Sequence, residues 1–224
     1  MRGRLALAAG RVGRDPRGIR LVAVSKGFTP ADVALAAAAG LGEFGENRLQ
    51  EALPKLAALP GVRWHMIGQL QRNKCRAVAG RFELVHGMDR PDLADSLHRA
   101  AERAGLVQDV LIQVSLAGRA GQGGVAPGQA AELAERVSGL AHLRLRGLMV
   151  IAPPGSDPEA ARPAFAALRA LRARLEARMG RPLPELSMGM SLDYEVAVEE
   201  GATILRVGRA IFGARPPGPE APGI

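Results

Sequence analysis

Short apolar runs alternate along this chain with longer stretches rich in alanine and leucine. Each short run has the length of a strand buried on both faces, and each longer stretch repeats its apolar positions at the three- and four-residue spacing of a helix with one buried side. The pattern predicts strands near 20–26, 42–45, 63–67, 82–86, 109–115, 144–151, 185–188 and 203–207. Helices are expected over 31–39, 46–58, 72–79, 90–104, 127–139, 158–179 and 192–200, with a frayed helix before Asp15 and a short turn after Arg209. Eight strands in strict alternation with helices point to an α/β fold, a single (β/α)8 barrel of TIM type, with a doubly wound open sheet as the alternative topology.

The chain has 224 residues, of which 47% are hydrophobic. That is enough for one well-cored unit and short for two. One barrel domain is expected over 1–215, followed by a flexible Pro- and Gly-rich tail over 216–224. The stretch 152–158 reads as a rigid loop that caps the start of the long helix after it.

Net charge is +8, yet aromatic residues make up only 3% of the chain and the arginines are scattered. Base stacking would have little to work with, so the basicity reads as a solvated surface able to attract small phosphate-bearing molecules and not as a nucleic-acid interface. One cysteine, Cys75, cannot form an internal disulfide, and no apolar run reaches the roughly twenty residues of a membrane span. A cytoplasmic protein is expected.

Of thirty Lys+Arg residues only three are lysine. One of them, Lys26, ends the run Leu21-Val22-Ala23-Val24-Ser25. An amine that loses its proton can attack a carbonyl, which a guanidinium cannot, so Lys26 is a candidate Schiff-base lysine or else a snorkelling strand-end residue. Two glycine patterns lead nowhere: Gly40 to Gly45 follows a helix and lacks the downstream acid of a dinucleotide site, and Gly118 to Gly124 lacks the ending of a P-loop. His65, His86, His98 and His142 lack metal-ligand spacing. His65 and His86 fall in or beside strands that a barrel mouth could use.

The segments Ser187-Met188-Gly189-Met190-Ser191 and Arg206-Val207-Gly208-Arg209-Ala210 leave the seventh and eighth strands. Barrels that take phosphorylated ligands often hold the phosphate between these two loops, and Gly189, Gly208 and the Ser191 hydroxyl suit that task; two capped helix starts would look the same. Lys26 on strand one would face this cradle across the closed barrel. A ligand with an aldehyde at one end and a phosphate at the other fits both, and pyridoxal 5′-phosphate is such a ligand, with Arg206 placed to donate to its pyridine nitrogen. An arginine partner leaves that nitrogen largely unprotonated and damps carbanion chemistry.

The linked motifs Gly13 to Pro16, Leu21 to Lys26, Phe44 to Arg48 with Gln50-Glu51, Trp64 to Lys74, Gly147 to Met149, Ser187 to Ser191 with Asp193, and Gly201 to Gly213 resemble the pyridoxal phosphate homeostasis proteins. That family is itself similar to the N-terminal barrel of alanine racemase. The resemblance spans nearly the whole chain. It implies a (β/α)8 barrel binding pyridoxal phosphate, with Lys26 carrying the internal aldimine, Arg206 at the pyridine nitrogen, Ser187, Ser191, Gly208 and Arg209 around the phosphate, and Asn47, His65 and Met149 lining the pocket. It further implies a role in keeping free cofactor low while supplying it, with apo-enzymes as possible recipients.

The chain departs from the family where a small residue usually stands in place of Arg209, where an acid and a lysine usually stand in place of Arg119 and Gln122, and where an asparagine usually stands in place of Ser115. It also starts partway into the usual first helix. A low-activity pyridoxal phosphate-dependent racemase is the alternative function, but racemisation needs a base on each face, and Tyr194 is the only tyrosine. It is expected to be a packing neighbour. A phosphate-ligand aldolase using Lys26 is a third reading. A monomer, no metal and no catalytic residue are expected.

Overall fold

The computed structural model describes residues 1–116, 123–153, 155 and 157–214. The readings made on the glycine-rich stretch from Gly118 to Gln122, on Arg119, on Pro154 and Ser156, and on the tail from 216 onward lie outside those residues. Eight parallel strands close into a barrel in chain order. They are β1 (Arg20–Val24), β2 (Glu43–Glu46), β3 (Arg63–Met66), β4 (Leu84–Met88), β5 (Gln108–Val114), β6 (Leu143–Val150), β7 (Glu185–Ser187) and β8 (Ile204–Val207). Strand β1 seals the barrel against β8, with Val22 opposite Arg206 and Ala23 opposite Val207. This closure rules out the open sheet.

The helices are α1 (Arg2–Arg11), α2 (Pro30–Ala38), α3 (Leu49–Ala58), α4 (Cys75–Val78), α5 (Pro91–Arg103), α6 (Ala130–Ser138), α7 (Arg162–Met179), α8 (Tyr194–Glu199) and α9 (Arg209–Phe212). Their ends follow local chemistry. Thr29 and Asp32 form a reciprocal capping box that starts α2, and Pro30 occupies the first turn, where no N–H is needed. Gly180 at φ 63° ends α7 in the left-handed conformation.

Three expected helices are shorter in their α-helical part. The stretches over 72–79, 127–139 and 158–179 open as 3-10 turns at Arg72–Lys74, Pro127–Gln129 and Pro158–Ala161 before α4, α6 and α7 begin. Short 3-10 turns are a common way to begin a helix, because they satisfy early backbone groups over a tighter span. Asp157 does cap the last of them, accepting from the Glu159 N–H at 2.9 Å. Strand β1 ends at Val24 and not at Lys26, and α3 starts only at Leu49. Lys26 therefore sits on a loop.

Two apolar layers hold the barrel. The larger lies between the strands and the surrounding helices and includes Phe44, Trp64, Phe165 and Leu186. A smaller one fills the lumen with Val22, Leu84, Leu111, Met149 and Ile204. The N-terminal end of the lumen is closed by charge: Arg20 meets Glu43 at 3.0 Å, Glu83 at 2.7 Å and Glu185 at 3.4 Å. Among the described residues no helix is long and apolar enough to cross a membrane.

Candidate functional site

A cavity of about 970 Å³ opens at the C-terminal end of the strands, the end at which barrels of this type place their chemistry. Lys26, Asn47, Ser191, Arg206, Gly208 and Arg209 all line it. Closure of β1 on β8 brings together residues as far apart in sequence as Lys26 and Arg209. His65, Met149 and Ser187 lie off its wall: Met149 belongs to the lumen layer, and His65 and Ser187 are fully buried behind Arg206 in a hydrogen-bonded line.

Lys26 is placed by backbone anchors on both sides. The Ser25 N–H donates to the Gly45 carbonyl at 3.1 Å, and the Gly27 N–H donates to Glu51 Oε2 at 3.2 Å. Gly27 has φ 79°, so the chain turns sharply straight after the lysine. Behind it the Ser25 hydroxyl donates to Glu46 Oε1 at 2.6 Å, an oxygen that also accepts from Lys55 Nζ at 2.6 Å. This buried anchor holds the lysine's loop from below.

Arg206 comes from β8 and points along the lumen into the cavity. Its Nη1 donates to Ser187 Oγ at 2.5 Å and its Nη2 to the Val150 carbonyl at 2.8 Å. Among the described residues no carboxylate lies within ion-pair distance of it. Burial lowers its pKa to about 10, partly offset by the more distant Asp193, so it remains a cation at neutral pH. A buried cation facing a cavity without a counter-charge suits an acceptor atom or an anion there.

The loops after β7 and β8 form the wall between Lys26 and α9. The Ala210 N–H donates to Ser191 Oγ at 3.3 Å, which leaves the Ser191 proton available toward the cavity. The N–H groups of Gly208 and Arg209 begin α9 and have no intrahelical acceptor by position. A Cβ on Gly208 would come within 3.2 Å of the Val24 carbonyl, so this backbone lies directly on the end of β1. The Met190 N–H is taken by Asp193 Oδ1 at 2.6 Å. The Ser191 hydroxyl and the N–H groups of Gly208 and Arg209 together make a donor-rich cradle.

Tyr194 is turned away from the cavity. It is buried at the start of α8, with the Arg4 guanidinium 6.0 Å from its ring centre. Burial, with Glu195 beside it, raises its pKa above the usual 10.0.

Two features escaped the sequence reading. Lys55 is one of the three lysines, and the scarcity that singled out Lys26 would have flagged it; only the fold shows it buried against Glu46. His86 was read as falling in or beside a strand that a barrel mouth could use, but its partners escaped, because they come from β3 and β7.

Residues 11–216 match the family model described as alanine racemase, N-terminal domain. Pyridoxal phosphate homeostasis proteins of Pseudomonas aeruginosa and Aquifex aeolicus are 47% and 43% identical to the chain, each over 95% of it and over 91% and 94% of their own lengths. Among solved structures, PipY of Synechococcus elongatus with PLP bound is 39% identical with a TM-score of 0.84, covering 95% of this chain and 99% of PipY. Alanine racemase of Corynebacterium glutamicum shares the barrel at 18% identity and a TM-score of 0.74, with only 60% of its length covered.

Proposed function

The chain belongs to the pyridoxal phosphate homeostasis protein family, and from that membership and the cavity we propose that it binds pyridoxal 5′-phosphate and takes part in intracellular homeostasis of that cofactor. The observation that carries the reading is a single cavity wall presenting a lysine amine, a buried guanidinium without a carboxylate partner among the described residues, and a cradle of hydroxyl and backbone N–H donors. These groups fit the three functional parts of the cofactor. When bound, pyridoxal phosphate supplies an aldehyde that condenses with an amine and a ring that draws electrons from the linked carbon.

Lys26 would hold the aldehyde end, Arg206 would donate to the ring nitrogen, and Ser191 with the backbone of Gly208 and Arg209 would hold the phosphate. Asn47 borders the ring space. The Arg209 guanidinium, on the first residue of α9, would add a charge-assisted contact to the phosphate. His65, Ser187 and Met149 support the site from behind. Because Arg206 keeps its own proton, it would leave the ring nitrogen largely unprotonated and its electron withdrawal weak. The described cavity wall offers no tyrosine as a second proton-transfer group, which favours a carrier over a racemase. A monomer that delivers cofactor to apo-enzymes accords with a cavity open at the mouth of the barrel.

The test is the visible spectrum of the purified protein before and after borohydride, with peptide mapping of the reduced product and Lys26→Ala alongside. A yellow protein whose reduced adduct maps to Lys26, with no colour in the variant, supports the reading. A colourless protein that takes up no added cofactor overturns it and favours the aldolase alternative. Amino-acid turnover by the yellow protein would favour the racemase.

A further inference from the structure

A line of polar side chains crosses the barrel lumen from the charged N-terminal end to the cavity. Arg206 Nη1 lies 2.5 Å from Ser187 Oγ, which lies 2.9 Å from His86 Nδ1. His86 Nε2 lies 3.0 Å from His65 Nδ1, and His65 Nε2 lies 3.2 Å from Glu43 Oε2. Ser187, His86 and His65 are all fully buried. An apolar lumen would have packed as well, so the line needs a reason.

Counting protons gives it a direction. A guanidinium only donates, so Ser187 Oγ accepts from Arg206, and its one hydroxyl proton goes to His86 Nδ1. That nitrogen must then be bare, which places the His86 proton on Nε2, pointing at His65 Nδ1. His65 is in turn protonated at Nε2, facing Glu43. The last contact is bent from hydrogen-bond alignment, so Glu43 acts there mainly as a charge on a ring dipole. Glu43 itself is fixed as an anion between Arg20 and Arg63. The reverse order would have Ser187 Oγ accept from both Arg206 and His86, leave its hydroxyl proton without an acceptor among these contacts, and turn a ring lone pair toward a carboxylate. Both ends therefore enforce the same order.

We propose that His86 and Ser187 are positioning residues for Arg206, with the line from Glu43 fixing the Ser187 hydroxyl as an acceptor and so fixing the guanidinium against the ring nitrogen of bound pyridoxal phosphate. The line consists of neutral groups between its two ends. A carboxylate in direct contact would hold the guanidinium equally well, but would neutralise it. A neutral relay fixes its position and leaves its charge facing the cavity, and the counter-charge stays at the far end of the barrel. Only the last step, toward the ring nitrogen, rests on the function proposed above.

The experiment uses long-range nitrogen–proton NMR of histidine-labelled protein, together with hydrogen exchange of the Arg206 side chain, both without cofactor. Wild type is expected to show His65 and His86 as neutral Nε2–H tautomers and a protected guanidinium. Ser187→Ala is expected to speed Arg206 exchange about tenfold and weaken cofactor affinity by a similar factor, as loss of a hydrogen bond to a charged group would do. Glu43→Gln, far from the cofactor, is expected to mix the His65 tautomers and speed Arg206 exchange. An Nδ1–H tautomer or a charged ring at His86, or unchanged Arg206 exchange in Ser187→Ala, overturns the proposal. Should wild type bind no cofactor, the proposed function fails, while tautomers and exchange still decide the line and its hold on Arg206.

Discussion

Lys55 Nζ and Glu46 Oε1 lie 2.6 Å apart in a fully enclosed pair, and the same ammonium donates to the Ser25 carbonyl at 2.7 Å, one residue before Lys26. Removing one partner strands the other charge in the interior, which costs on the order of 3–5 kcal/mol. Lys55→Met is expected to lower the unfolding free energy by that amount in a urea titration. The double change Lys55→Met with Glu46→Leu is expected to recover most of it. Equal losses in both proteins would show that the pair's charges are not what the site depends on.

Arg206 shows the opposite balance, since among the described residues it is a buried cation with no carboxylate beside it. Arg206→Gln removes that cation while keeping a donor. Stability should change by less than about 1 kcal/mol, because the desolvation relieved offsets the hydrogen bonds lost. Affinity for pyridoxal phosphate, measured by fluorescence titration, should fall roughly tenfold or more. Unchanged affinity would remove Arg206 from the binding site.

Acid should unfold the protein in two stages. Burial lowers the pKa of both His65 and His86 below the usual 6.5, so below that pH the unfolded chain takes up protons that the folded one refuses, and stability falls. Burial alone would raise Glu43, but His65, Arg20 and Arg63 bring it from 4.5 down to about 2. Its contribution, on the order of 3 kcal/mol, is complete above 4.5 and disappears as pH falls toward 2. Unfolding free energy measured from pH 8 to pH 3 should decline first below 6.5 and more steeply below 4.5. Glu43→Gln should flatten the second decline.

Burial pushes the Cys75 thiol up to about 11, with nearby Arg90 and Arg99 opposing only in part. The side chain is 2% exposed. Alkylation at pH 8 should be slower than for a free thiol by at least a hundredfold, on the order of the loss in thiolate. Labelling at the free-thiol rate would place Cys75 on an opening segment.

Gly189 holds φ 91°, and a Cβ there would meet that of Ala197 at 2.5 Å. Gly189→Ala combines left-handed strain with overpacking and should cost about 2–4 kcal/mol in thermal or urea unfolding. A neutral result would mean that the loop after β7 can shift freely away from α8.

The alternation of apolar runs and helical stretches determined the number of strands and their places along the chain, and the scarcity of lysine determined Lys26 as the residue to watch. Both are local signals: burial on two faces writes itself into a run of four to eight residues, and a rare residue type is visible wherever it stands. The motifs after β7 and β8 were legible for the same reason, and six of the nine expected site residues share one cavity. Only closure of β1 on β8 decided that these segments meet, since pairing partners 184 residues apart, such as Val22 and Arg206, leave no mark in either segment alone. Closure also decided that His65 and Ser187 stand behind the wall and not on it, that His86 joins them, and that Lys55 is buried against Glu46. A side chain's hydrogen-bond partner is set by which strands neighbour one another, and that is a property of the closed barrel, not of any stretch of its sequence.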